Sequence, residues 1–412
     1  MTTEQGLPWE DDRLIEPLDN EWTVGCRALQ TWWRQIVLGL DDYGPHRAKV
    51  PDRLVGSMLP LNAPRGSNFY PGVIDEVDFR LDQKGWGGIA SRDRLFRNLL
   101  SSQPMAFNIF GYLKWQPQAL LTWVRSLGIG ADEIVDVRIE WAPPKKAHFD
   151  GGSAFDAAIF YRSDRCDEGV GLIGVECKYQ EDLAQQSLPA SGQLNKYLEW
   201  TRKSDYWRPG AGDRLCNKSL VQLCLNTLLA QSCVAKGEEV DFEGGALRIC
   251  EATVVMMPLA ADRKALEATA AVRSQLVEPE QWLRWSPYEA VIDAVADHRE
   301  VAEWAAWIRT RYTDFRPVAD GLRPDDPRHS RDPVGDAMVR ARAEFAGALD
   351  DARAMAGRVL GLSDGSGSVL QQIAEGETVG CSAVEPWTLA HRLAEITEDL
   401  RSVREVAQPL HS

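Results

Sequence analysis

Two apolar runs joined by a polar turn dominate the middle of the chain. Residues 154–161, Ala-Phe-Asp-Ala-Ala-Ile-Phe-Tyr, and residues 169–177 have the aromatic and β-branched composition of strands. Between them, Ser163, Asp164, Asp167 and Gly169 mark a turn. The pattern predicts a hairpin centred near Cys166. Residues 134–141 alternate, with Ile134, Asp136 and Arg138 set against Val135, Val137 and Ile139. That period of two predicts a preceding strand, which Pro143-Pro144 ends. Residues 246–258 are apolar enough for a buried, central strand. Helical spacing predicts helices over 22–40, 92–100, 105–115, 117–127, 190–203, 216–231, 262–275 and 286–312. Residues 48–68, rich in Pro, Gly and Asn, read as loop, and 69–81 read as extended. Strands interleaved with helices make this an α/β chain.

The C-terminal part has a different texture. Residues 317–333 hold four prolines and read as a linker. Helical spacing returns over 337–360 and 386–406, with a Gly/Ser break at 362–368. The expected division is therefore an N-terminal extension (1–84), a core (85–316), the linker (317–333) and a helical C-terminal region (334–412). A length of 412 residues fits two to three domains. No run approaches the roughly 18 apolar residues of a membrane span. The first residues resemble no signal peptide, so a cytoplasmic location is expected and no membrane partner. The tryptophans at helical spacing near 301–312 are expected in the core rather than stacked on bases.

Charge narrows the function classes. A net charge of −15 argues against a protein that coats nucleic acid non-specifically. Residues 142–218, however, carry eleven Lys or Arg against eleven Asp or Glu. Lys145, Lys146, Lys196, Arg202, Lys203, Arg208, Arg214 and Lys218 are candidates for phosphate contacts. The eight cysteines are scattered. Cys216, Cys224, Cys233 and Cys250 invite an iron–sulfur reading, but their spacing gives it no support, and buried reduced thiols are expected. The histidines lack zinc spacing. No phosphate loop of the nucleotide-hydrolase type is present, and Ser153 has no visible histidine partner, so it reads as part of a turn.

The candidate chemistry lies on the predicted hairpin. Glu176 and Lys178 are two apart, so they share one face of their strand. Asp156 and Glu176 both lie ten residues from Cys166, so they fall opposite each other, with Cβ atoms about 5 Å apart. An acid within Phe-Asp-Ala-Ala-Ile-Phe-Tyr needs a partner or a cation if buried. Two facing carboxylates repel unless a hard divalent ion sits between them. Downstream, Gln193 and Tyr197 are four apart and share one helical face.

Asp156, then Glu176-x-Lys178, then Gln193-x-x-x-Tyr197 resembles, in order and spacing, the PD-(D/E)xK nuclease superfamily, in its Gln-x-x-x-Tyr branch. Residues 101–111 and the segment from Gln222 to Asn226 and beyond are similar to the PGN_0703-like group of bacterial restriction endonucleases. The resemblance spans roughly residues 85–320. Phe155 stands where the family usually has proline. The early helical acid of many members has no counterpart here, because Gln103 and Asn108 occupy that segment, which leaves the number of metal ions open. The resemblance implies an α/β/α sandwich with a mixed central sheet, restriction-endonuclease-like, here with a helical C-terminal extension. It also implies Mg²⁺ or Mn²⁺ held by Asp156, Glu176 and the Cys177 carbonyl, and catalysis by Asp156, Glu176 and Lys178. Gln193 and Tyr197 would support the site or touch substrate. The implied substrate is nucleic acid, by default DNA, with restriction or phage defence as the setting and a homodimer for cutting both strands. Two alternatives stay open: an inactive nuclease-fold scaffold, and an interaction protein acting through its C-terminal helices.

Overall fold

The structure, a computed structural model, describes residues 19–319 except 48–49, 84–90, 145–146, 150–152, 182, 184–187 and 190. All of these belong to the first of the chain's two units, Met1–Pro333. The helices expected at 337–360 and 386–406 lie outside the described residues.

Eight strands are present among the described residues. β1 (Gly44–Arg47) and β2 (Val50–Val55) form a small antiparallel pair. β3 (Glu133–Trp141), β4 (Phe155–Arg162), β5 (Gly169–Cys177), β6 (Glu239–Phe242), β7 (Gly245–Met257) and β8 (Leu283–Trp285) form one sheet. Its order is β3-β4-β5-β7-β6, with β8 also on β7. The pairs β3/β4, β4/β5 and β6/β7 are antiparallel, whereas β5/β7 and β7/β8 are parallel, so the sheet is mixed. A parallel β5/β7 pair needs a long crossover. That crossover holds α6 (Ser191–Lys203), α7 (Ala211–Leu215) and α8 (Val221–Lys236). Before the sheet come α1 (Glu21–Trp32), α2 (Val73–Asp82), α3 (Arg92–Arg97), α4 (Ser102–Ala106) and α5 (Pro117–Ser126), and α9 (Arg263–Arg273) follows β7. A mixed sheet flanked by helices is the restriction-endonuclease-like arrangement that the sequence predicts.

β5 is buried along its whole length, which fits a strand enclosed between β4 and β7. Its glycines make room for rings of the neighbouring strand. A Cβ at Gly171 would collide with the Tyr161 ring, and one at Gly174 with the Phe155 ring. The Gly-x-Gly-x-x-Gly spacing of 169–174 is therefore a packing feature.

Several expectations need correction. Residues 48–68 contain part of the β1/β2 pair, a small hairpin whose short strands tolerate Pro45 and Pro51. Residues 69–81 are largely helical. Gly72, at φ 88°, starts α2, Asp75 and Glu76 sit in its first turn, and buried Val73 and Val77 are four apart. The single helix expected at 286–312 is broken into Tyr288–Ala294, a short turn at Arg299–Val301, Ala302–Ile308 and a wider turn at Arg309–Thr313. Cys166 and Cys250 are joined as a disulfide between the β4–β5 turn and β7, with Cα atoms 5.9 Å apart. Reduced thiols hold for Cys26, Cys177, Cys216, Cys224 and Cys233. Cys381 lies outside the described residues.

Candidate active site

The β4/β5 register places the two candidate acids. Ala157 pairs with Val175, Ile159 with Ile173 and Tyr161 with Gly171. One further step along the ladder sets Asp156 across from Glu176, the placement that the turn centred on Cys166 predicts. The Asp156 carboxylate accepts a hydrogen bond from the Cys177 amide (2.7 Å). Lys178 continues the edge of β5, its amide donating to the Met257 carbonyl (2.9 Å).

The Glu176 side chain is 1% exposed, and both of its oxygens accept hydrogen bonds. Its Oε1 accepts from the Lys178 ammonium (2.6 Å) and from the Gln222 amide, and its Oε2 accepts from Asn226 (2.6 Å). Gln222 and Asn226 lie one turn apart near the start of α8. A carboxylate oxygen has two acceptor sites, so Oε2 keeps one lone pair unused by Asn226. The family resemblance marks the segment from Gln222 to Asn226 but gives the two amides no role; a pair four apart in the mostly apolar first turns of the helix is the readable sign of a buried polar partner.

The segment after Lys178 is clamped. The Glu181 carboxylate accepts from Arg94 (2.8 Å), from the Ser102 amide and hydroxyl (2.8 Å each) and from the Tyr179 amide (3.0 Å). Burial opposes ionisation of Glu181, but Lys178, Arg94 and those amides outweigh it and lower its pKa. The Tyr179 hydroxyl accepts from Gln30 of α1 (3.0 Å), which also donates to the Arg311 carbonyl (2.6 Å). The N-terminal helix and the turn at 309–313 thus hold the end of β5 in place.

A third carboxylate joins the pair. Ile139 pairs with Ala157 and Trp141 with Phe155, so the register sets Glu140 of β3 beside Asp156. Glu140 is buried, and its carboxylate accepts from Gln103 of α4 (2.6 Å). The segment that lacks an early acid therefore meets one on a strand.

Electrostatics follow from this crowding. Burial, then Glu176 and Glu140, push the Asp156 carboxyl well above its ordinary range. Burial likewise raises Glu140, against its bond from Gln103 and the charge of Arg80. Burial opposes the Lys178 ammonium, but Glu176, Asp156 and Glu181 outweigh it and raise its pKa. The site holds excess negative charge among hard oxygen donors, which suits a divalent cation. Among the described residues no three His, Cys, Asp or Glu side chains converge on one point. A Mg²⁺ ion needs only one or two carboxylates, with water and phosphate completing its shell.

Other candidates are less close to the acids. Gln193 donates to the Tyr197 hydroxyl (3.3 Å), and Tyr197 also bonds Ser153, three residues before Asp156. The Tyr197 ring packs on Phe149, with centroids 4.9 Å apart. Several expected phosphate-binding cations have local partners: Lys203 pairs with Glu199 (2.5 Å), Arg202 with Asp213 (3.6 Å) and Arg214 with Gln275 (2.8 Å). Lys145 and Lys146 lie outside the described residues.

A histidine constellation absent from the sequence reading also forms. His148 Nδ1 lies 2.8 Å from Ser232 Oγ, and its Nε2 lies 2.8 Å from Glu238 Oε2. Ser232 is 0% exposed, and the cavity that His148 lines has a volume of about 10 Å³, room for one water. No substrate carbonyl can reach that hydroxyl, so the trio ties the segment before β4 to α8.

A strand-borne acid facing Glu-x-Lys on a mixed α/β sheet is the arrangement that the resemblance implies. The chain belongs to the PD-(D/E)XK nuclease superfamily, whose family model matches residues 17–314. Comparison with curated proteins gives no match. Comparison with solved structures gives none either.

Proposed function

We propose that this protein is a Mg²⁺- or Mn²⁺-dependent nuclease that hydrolyses phosphodiester bonds in DNA, and that restriction or phage defence is its setting. The observation that carries this reading is the juxtaposition of Asp156, Glu176 and Lys178 at the end of β5, with more buried carboxylate than cation around them. Asp156, Glu176 and the Cys177 carbonyl would hold the ion. Bound there, it supplies Lewis acidity to the scissile phosphate and to the attacking water. Gln222 and Asn226 fix the Glu176 carboxylate, so little reorganisation is needed on loading. Lys178, kept charged by its neighbours, offsets charge on the phosphate or orients the water. Gln193 and Tyr197 brace the approach to β4 through Ser153. Cleavage of both strands would use a homodimer.

The test is incubation of the full chain with labelled duplex DNA, single-stranded DNA and RNA, in Mg²⁺, in Mn²⁺ and in EDTA. Cleavage of DNA only with a divalent ion is the expected result. No cleavage of any substrate, under any ion, would favour the scaffold reading.

A further inference from the structure

Helix α6 carries more than Gln193 and Tyr197. Lys196, Trp200, Lys203 and Ser204 recur at three- and four-residue spacing, so they share one helical face. Together with Phe149, before β4, and Lys236, the last residue of α8, that face lines a groove of about 660 Å³. Sites for small molecules and cofactors generally fall at roughly 300–1,000 Å³. Nothing in the site as proposed so far uses this groove.

The groove is kept in an arrangement that is unfavourable in itself. Phe149 has φ 56°, and among the described non-glycine residues it shares positive φ only with Glu140 (54°). Such backbone persists only where the surroundings over-determine it, and it clusters at active sites and ligand clamps. The Phe149 ring packs against Tyr197, with centroids 4.9 Å apart, and edge-on to Trp200, at 5.4 Å and 85°. The Lys236 ammonium lies 5.9 Å from its centroid. The second observation concerns the α6 face itself. Trp200 Nε1 and Ser204 Oγ, one turn apart, are buried and have no hydrogen-bond partner among the described residues. An indole N–H only donates, and a hydroxyl turns about one bond, so both suit a ligand that brings carbonyl or ring-nitrogen acceptors.

We infer that this groove receives the unpaired bases of a DNA strand, stacked on Trp200 and Phe149 with the phosphates at Lys196 and Lys236. This rests on the nuclease reading above, and it narrows the substrate to DNA with an unpaired stretch beside the cut. Charge favours that occupant: three lysines line the groove against Glu199 and Asp205, on a chain whose net charge is −15. Lys203 is paired with Glu199 (2.5 Å), but Lys236 donates to the Ala147 carbonyl, a bond that leaves its charge in place. Position favours it too. Trp200 lies seven residues beyond Gln193, about 10 Å along the helix at 1.5 Å per residue. Tyr197, between them, reaches Ser153, three residues before Asp156. A strand that passes Gln193 therefore meets the groove two helical turns later. Every base has a π-face that stacks on an aromatic ring whatever the sequence. In a duplex those faces are covered by neighbouring base pairs, so the rings select bases that are unpaired.

The experiment is fluorescence anisotropy of the full chain with fluorescein-labelled oligothymidylate and with a labelled hairpin duplex, both in EDTA so that neither is cut. The single strand should bind more tightly than the duplex. Trp200→Leu, which keeps apolar bulk, should weaken single-strand binding by about tenfold or more, and duplex binding much less. Lys236→Glu, at an exposed position, keeps the inference testable if Trp200→Leu fails to fold; it should weaken single-strand binding and flatten its salt dependence. Equal binding of the two DNAs would overturn the groove. So would single-strand binding indifferent to Trp200→Leu in a sample that melts like wild type. DNA cleavage in Mg²⁺ alongside either result would leave the nuclease reading standing. Single-strand binding that Trp200→Leu weakens, with no cleavage of any substrate, would uphold the groove and overturn the nuclease reading.

Discussion

Helix α8 serves two polar constellations, and they differ in what they leave unsatisfied. Near its start, Gln222 and Asn226 hold Glu176 beside Lys178 and Asp156. Further along, Ser232 holds His148 against Glu238. Named by residue type, the second is the more familiar catalytic set. Its histidine nitrogens both have partners and its serine is sealed, so it is complete as it stands. The first set has more buried carboxylate than cation, an Asp156 carboxyl whose pKa burial and its neighbours push well up, and a Gln222 carbonyl oxygen with no hydrogen-bond donor among the described residues. A structural network closes on itself. A binding site is left open in the chemistry of what it binds.

The comparison can be broken most severely at Asp156. Asp156→Asn should lower the rate of DNA cleavage by at least about a thousandfold, since it removes a ligand and the charge that opposes Lys178. Single-turnover kinetics would measure this, and a rate near wild type would remove Asp156 from the site. A smaller loss is expected at the supporting amide. Asn226→Ala leaves Glu176 Oε2 without its donor and should cost about 10–100-fold in metal affinity or activity. A Mn²⁺ titration alongside kinetics would separate the two.

The sealed constellation should respond in the opposite sense. Ser232→Ala should leave cleavage essentially unchanged but destabilise the fold by about 1–3 kcal/mol, because His148 Nδ1 loses its buried partner. Urea unfolding and a cleavage assay on the same sample would show both. Cleavage lost without loss of stability would reverse the assignment of the two sets.

The subtlest effect is on pH dependence. The folded protein holds a proton on Asp156 to higher pH than the unfolded chain does. Between the unfolded value, about 3.9, and the raised folded value, the native state binds more protons, so this group's contribution falls as pH rises. In EDTA, Asp156→Asn should therefore match wild type in melting temperature near pH 4 and exceed it increasingly as pH rises. Divalent ion should shrink that gap, because it takes over the role of the proton in wild type. A gap that stays constant with pH would contradict the crowding of Asp156.

How much of this was readable depends on whether local pattern or tertiary contact sets each feature. The Asp156–Glu176 register was readable, because two apolar strands around a polar turn leave few ways to pair. The α/β class followed from strand and helix patterns, and the mixed sheet from the family resemblance. Glu140 was not readable. Within the alternating run it counts as one more polar position beside Asp136 and Arg138, and only Arg80 and Gln103, from distant segments, give it burial and its backbone twist. Residues 69–81 look extended by their Phe, Tyr and Val content. The Gly72 turn and the acidic first turn make most of them helix. Ser232–His148–Glu238 joins residues 84 and 90 positions apart, which no short motif captures.

The most direct test of the central claim is Lys178→Ala, assayed for Mn²⁺ binding and DNA cleavage in the same preparation. Lys178 neutralises Glu176 in the metal-free protein, so its removal should leave Mn²⁺ binding intact or tighter. Cleavage should fall by about a thousandfold or more, as expected for a group that acts on the phosphate rather than on the ion. Cleavage at the wild-type rate with Mn²⁺ bound would contradict the account, and place the chemistry elsewhere in the protein.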